Sequence, residues 1–253
     1  MLSTFGDMTE EDLKGTMFQV SILQALSLGD YEGHITVAQL KRHGDHGIGT
    51  FNGLDGEMIM LDGIVYRAAG DCSIGEVSDN LTVPFASVMF ASDQRSERIS
   101  VSSLQQFVTE MNAFLEREGP NSIYMAILHA RFDRIKVRSV KRQEPPYTPL
   151  VSIILKEQAI CEREGICGTA VGFYCPSYMR AVNSPGWHLH FVSDDRSIGG
   201  HILDLSVSDG ECLLSRAESF RMCIPDSERF QSLDLSEDQE ENIRKIEGDG
   251  AKS

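Results

Sequence analysis

The chain has 253 residues, long enough to bury its own core without disulfide staples. Apolar residues make up 41% and charged residues 24%, a globular composition that excludes disorder and coiled coil. Asp and Glu number 38 against 23 Lys and Arg, a net charge of −15; so acidic a surface repels phosphate backbones and anionic lipid, so no nucleic-acid or membrane partner is expected.

Apolar runs are only a few residues long, too short for a membrane-spanning helix. The N-terminus is acidic where a secretory signal would be basic and then apolar, and the expected location is the cytoplasm. Cys72, Cys161, Cys167, Cys175, Cys212 and Cys223 are scattered without a Cys-x-x-Cys pair. They read as reduced, mostly buried thiols.

In chain order, Met17–Leu26 carries apolar residues at helical spacing, and Gly29-Asp30 punctuates it. Ile35-Thr36-Val37 is a short strand. From Gly47 to Glu57 four glycines fall in eleven residues. Met58–Leu61 and Ile64–Ala68 follow as strands, and Asp62-Gly63 between them predicts a hairpin turn with φ > 0 at both positions. Thr82–Phe90 is a strand with Pro84 at an edge or bulge. Leu104, Phe107, Val108, Met111, Phe114 and Leu115 form a helix stripe, capped by Ser102 or Ser103 and ended by Gly119-Pro120. Ile123–Leu128 and Ile135–Val140 read as a paired hairpin. Three prolines in the five residues 145–149 make the best linker, so the predicted domains are 1–142 and 143–253. Beyond it come a helix over Val151–Cys161, strands at Thr169–Tyr174, Trp187–Val192, His201–Val207 and Cys212–Phe220, and an acidic tail with a helix near Asp238–Ile246. The fold class is α/β of the α+β type: two lobes of mixed, mostly antiparallel sheet with a few helices.

The chemistry concentrates at Gly186-Trp187-His188-Leu189-His190-Phe191, a turn-rich stretch, and Gly199-Gly200-His201: three of the chain's seven histidines in fourteen residues. On a strand, positions i and i+2 share a face, so His188 and His190 stand side by side while Leu189 and Phe191 point to a core. If His201 on the returning strand stands opposite His190, a third imidazole joins them; a slip of one residue would turn it away. Three neutral imidazoles suit a transition metal, zinc first, with iron, manganese or nickel as alternatives, and leave a coordination position open for catalysis. His43 and His46 compete as ligands but read as surface or loop histidines; His34 and His129 read as structural.

Several stretches resemble one family in order along the chain: Phe18-Gln19-Val20-Ser21, Gly47 to Glu57 with Leu61-Asp62-Gly63, Val83-Pro84-Phe85-Ala86, Arg138 to Gln143, Pro146 to Leu150, Gly168 to Phe173, and the His-x-His…Gly-Gly-His run. From about residue 15 to 220 the chain resembles the α-acetolactate decarboxylases. The resemblance implies conversion of (S)-2-acetolactate to (R)-acetoin and CO2 with a zinc-type ion on His188, His190 and His201. It also implies that Glu57, Arg138 and a C-terminal glutamate enter the site, Glu247 being chosen over Glu240 and Glu241. A two-domain fold and a homodimer are implied as well.

The chemistry asks for these parts. Losing CO2 from acetolactate leaves an enediolate whose developing charge a Lewis acid can hold. Arg138 offers a rigid fork of donors for the carboxylate or the enediolate; by spacing alone it reads as a strand-surface charge. A chiral product needs a proton delivered to one face, a task for Glu57 or Glu247; by spacing alone Glu57 is a turn-flanking surface carboxylate. The Thr50 hydroxyl is a hydrogen-bond donor for the same site. The alternatives are a cupin-like oxygenase or isomerase, which would want a carboxylate soon after the second histidine, and a non-enzymatic metal-binding protein, which would want a closed four-ligand site and no deep pocket.

Overall fold

The computed structural model describes residues 10–236. At Asp62-Gly63 both residues hold positive φ, +49° and +73°, the left-handed pair that a two-residue hairpin turn requires. Around this hairpin the elements run α1 (Glu10–Leu13), β1 (Thr16–Val20), α2 (Leu23–Ser27), β2 (Ile35–Thr36), α3 (Val37–Leu40), β3 (His46–Thr50), β4 (Glu57–Leu61), β5 (Ile64–Ala68), β6 (Ile74–Glu76), β7 (Thr82–Val83), β8 (Phe85–Met89) and β9 (Arg95–Val101). The second half runs α4 (Leu104–Glu118), β10 (Tyr124–Ser139), α5 (Leu150–Glu157), β11 (Ala159–Cys175), β12 (Gly186–Ser193), β13 (Gly199–Arg216), β14 (Ser219–Cys223) and α6 (Glu228–Gln231).

Two sheets carry the fold. The first orders its strands β14-β1-β8-β3-β4-β5-β6. The second runs β10-β11-β12-β13-β9, and β13 pairs back with β10, so this sheet closes on itself. Only the β1–β14 pairing is parallel among the described residues, so the predicted antiparallel α+β character holds.

The alternation of the strands separates the cores. Leu189 and Phe191 of β12 belong to a cluster with Phe107, Met111 and Phe114 of α4. Phe191 meets Phe132 edge-to-face at 4.9 Å, an arrangement worth about 0.5–1.5 kcal/mol beyond its burial. Val192, one residue on, belongs with Val171 and Phe173 to a cluster that includes Ile48, Ile59 and Leu61 of the first sheet. The sheets therefore pack against each other on the face that carries His188 and His190, while α4 covers the other face of β12. Ser103 caps α4 as expected, accepting from the Gln106 backbone N–H.

Several expectations need correction. Residues 16–20 are a strand, and helix begins only at Leu23; all five strand residues are buried, and a strand covered on both faces reads as a continuous apolar run. Residues 124–139 are one strand rather than a hairpin, because His129 to Arg134 contains no Gly or Pro to turn the chain, and the ladder absorbs its irregularities as register shifts near Ala130–Arg134. Helix α5 ends at Glu157, and β11 has already begun at Ala159. The division at 142/143 does not follow the sheets: β9 and β10 precede it yet pair with β11 and β13, while β14 follows it and pairs with β1. The proline-rich stretch is a loop between β10 and α5. The helix expected near Asp238–Ile246 lies outside the described residues.

Candidate active site

The site is assembled by register. Across β12 and β13, His190 stands opposite His201, the pairing on which a third imidazole depends. Across β10 and β13, His201 also stands opposite Arg138. Gly200 makes this double pairing workable: its φ is +147°, and a Cβ there would collide with the Arg138 carbonyl. From the first sheet, Thr50 and Glu57 are direct partners across β3 and β4. Cross-strand partners project to the same face, so each sheet contributes a ready-made set.

The three rings converge. Their centroids are 4.8 Å (His188–His201), 5.0 Å (His188–His190) and 5.5 Å (His190–His201) apart. One nitrogen from each lies within 4.8 Å of the others. His188 Nε2 and His190 Nε2 are 3.2 Å apart, close to the roughly 3.3 Å that separates two ligands held 2.0–2.1 Å from a tetrahedral zinc. His190 Nδ1 lies 2.8 Å from the Met58 carbonyl of β4. That carbonyl can only accept, so Nδ1 carries the proton and Nε2 presents its lone pair to the other rings.

Electrostatics agree with this. Burial, and then the Arg138 charge, push the His188 pKa down to about 3. Burial and the neighbouring His188 hold His190 well below its usual 6.5. His188 and His190 are therefore neutral at physiological pH, the form a metal needs. Glu57 Oε2 lies 3.7 Å from His190 Nε2; against a neutral ring this is proximity rather than an ion pair. The donor set, three buried imidazoles with one tautomer fixed from outside, fits a divalent transition metal.

These residues line a narrow pocket. Its polar wall is His188, His190, His201, Arg138, Glu57 and Thr50. The apolar lining comes from Leu23 and Leu26 of α2, Leu54, Phe85, Val140, and Leu150 and Ile154 of α5. Arg138 is only 4% exposed and the Glu57 side chain 14%, so neither is the surface charge that spacing alone suggests. The Thr50 hydroxyl donates to the Gly56 carbonyl at 2.7 Å; its proton is committed to bracing the 50–56 loop, and its oxygen is left as an acceptor. Glu247, Glu240 and Glu241 lie outside the described residues.

The competing histidines sit elsewhere. His46 is buried on β3, with Nδ1 2.8 Å from Asp45 Oδ1, and His43 stacks on Phe18 at 3.9 Å; they are packed rather than on the surface, and neither lines the pocket. His34 pairs with Asp30 and His129 with Thr169. Asp194 and Asp195, the carboxylates a cupin would need, are exposed in the β12–β13 turn, where Asp195 accepts from Ser193 Oγ at 2.7 Å. Cys72, Cys175, Cys212 and Cys223 are buried, Cys161 is half-buried and Cys167 is exposed. Sequence reasoning missed the Met58 carbonyl and the apolar wall; backbone acceptors leave no residue-type signal, and leucines lining a pocket look like leucines filling a core.

The profile of the alpha-acetolactate decarboxylase family matches residues 17–237. The chain belongs to the α-acetolactate decarboxylase family. It is 40% identical to the alpha-acetolactate decarboxylase of Methanosarcina mazei over 233 residues, covering 91% of this chain and 80% of that one. It is 35% identical to that of Bacillus licheniformis over 221 residues, covering 87% and 86%. The crystal structure of the Bacillus subtilis alpha-acetolactate decarboxylase superposes with a TM-score of 0.88 at 31% identity, covering 92% of this chain and 99% of that chain. Its α+β fold is thus shared with solved structures of the decarboxylase family.

Proposed function

We propose that this chain, a carboxy-lyase, decarboxylates acetolactate in the pocket between its two sheets, converting the (S)-enantiomer to (R)-acetoin and CO2. The observation that carries the reading is the convergence of three imidazoles, a buried guanidinium and a carboxylate in the lining of one pocket, in a chain of this family. The bond from C2 to the carboxyl carbon breaks, its electron pair moves toward the ketone oxygen, and a proton then adds to the carbon that held the ketone or the carboxylate.

His188, His190 and His201 are the residues that would hold a divalent ion, and the all-imidazole donor set favours zinc. Such an ion would supply Lewis-acid polarisation of the substrate's oxygens. Arg138, fixed in the low-dielectric wall, orients the substrate carboxylate and steadies the charge that develops as CO2 departs. Glu57 delivers the proton from the side where it faces the pocket, which sets the handedness of the product. Thr50 keeps the loop before Glu57 in place through the Gly56 carbonyl and offers its oxygen as an acceptor. Glu247 is proposed as a second carboxyl of the site on the family resemblance alone. The resemblance likewise supports a homodimer, and the six free cysteines suit the reducing cytoplasm.

Incubation of the metal-loaded protein with racemic acetolactate tests the reading. Release of acetoin and CO2 in equal amounts, with the (R)-product in excess on chiral chromatography, is expected. No release above the spontaneous rate would overturn it.

A further inference from the structure

The pocket has two unlike walls, and acetolactate has two unlike halves. Its carboxylate, hydroxyl and ketone are contiguous and belong with the polar wall. Its alkyl groups are then left facing α2 and α5. On α5, Leu150 and Ile154 lie one turn apart and so share a face; both line the pocket and are 5% and 4% exposed. Leu155, the next residue, is 72% exposed, so the helix turns one face to the pocket and another to solvent. Ile153 is buried without lining the pocket, packed with Leu23 and Leu26 in the cluster that joins α5 to α2.

From this arrangement we infer that Ile154 is a specificity-determining residue, setting the longest alkyl branch that the pocket accepts at C2 of a 2-hydroxy-3-oxo acid. The inference rests on the proposed decarboxylase reading. Among the wall residues Ile154 is placed to act as a stop. It sits inside a helix, where a β-branched side chain keeps essentially one χ1 rotamer, so it does not swing aside for a longer branch. Leu150, at the first position of the same helix, supports it from one turn earlier. Phe85 and Val140 reach the pocket from a strand and from just beyond one, Phe85 directly across the ladder from Thr50. Leu54 is locked in a loop with φ +55°.

The test is the ratio of kcat/KM values for acetolactate and its homologues with ethyl and propyl at C2, measured on the full-length metal-loaded protein. Ile154→Ala is expected to raise the propyl-to-methyl ratio about tenfold, the usual worth of a methylene or two in an apolar pocket. Ile154→Phe is expected to lower the ethyl-to-methyl ratio by a similar factor. Bound metal and Tm are recorded for each variant; if Ile154→Ala fails to fold, Ile154→Val, which removes one methyl, should shift the ratio in the same direction by a few-fold. Ratios unchanged within about twofold in folded, metal-loaded variants overturn the inference while the parent still turns over acetolactate. No turnover of acetolactate by the parent overturns the decarboxylase reading itself.

Discussion

His190 and His201 are register partners across β12 and β13. On its other side His201 is opposite Arg138 of β10, so one position on a central strand aligns a pocket side chain from each neighbour. Side chains alternate with a period of two, and a slip of one residue in either ladder would send a ring to the α4 side. Gly200 guards against that slip by letting the β10 backbone come close.

The buried guanidinium is the most exacting of the proposed charges. Arg138→Lys keeps the charge but loses the planar fork and cannot reproduce its bonds. We expect kcat/KM to fall about a hundredfold or more, the usual scale for removing an electrostatic group aimed at developing charge, with bound metal unchanged. Activity within a few-fold of the parent would remove Arg138 from the reaction.

Glu57→Gln preserves shape and removes the proton. If Glu57 protonates one face of the intermediate, kcat should drop by roughly 100-fold or more, and acetoin should emerge with a smaller enantiomeric excess. Chiral chromatography of the product reads this directly. An unchanged excess at reduced rate would assign the proton to another group.

A buried polar knot ties the Ala181–Ser184 segment to the first sheet. Asn183 Nδ2 donates to Gln19 Oε1 at 2.7 Å and to Ser87 Oγ at 3.0 Å, while Asn183 Oδ1 accepts from the Ser184 N–H at 2.7 Å. Asn183→Ala strands those partners away from water, at about 1–3 kcal/mol. Denaturant unfolding should show a lower midpoint with no change in slope; an unchanged midpoint would mean water replaces the amide.

His43 gives the fold an acid-side weakness. Burial, then Arg221 and Arg42, lower its pKa from 6.5 to about 4, so the folded chain keeps it neutral. Below pH 6.5 the unfolded chain takes up a proton that the fold refuses. The stability this group contributes is therefore complete above 6.5 and lost as pH falls toward 4, with a slope below ~1.4 kcal/mol per pH unit because the ring is partly solvated. His43→Phe, which keeps the stack on Phe18, should lose less Tm between pH 7 and 5 than the parent does (roughly this window follows from the pKa pair). Parallel Tm curves would show that the ring titrates normally.

Much of the site is legible in the sequence because its ligands lie on strands with sharp local rules. His-x-His gives a shared face, Gly-Gly before His201 marks a close approach, and Asp62-Gly63 fixes the hairpin that follows Glu57. What the sequence hides is non-local. Arg138 and Glu57 look like surface charges until the second sheet covers them. The pocket's far wall comes from two short helices that touch only in the folded chain. The single strand at 124–139 reads as two because its middle is polar on the exposed side, and β1 reads as helix because both its faces are buried. Each miss comes from tertiary burial overriding a local pattern.

The central claim is that His188, His190 and His201 hold one divalent ion that the reaction needs. Metal analysis of the purified parent and of His190→Ala, alongside the acetolactate assay, tests it most directly. The account predicts close to one ion per chain in the parent, little in the variant, and turnover lost with the metal. A His190→Ala protein with full metal content and undiminished acetoin production would contradict it.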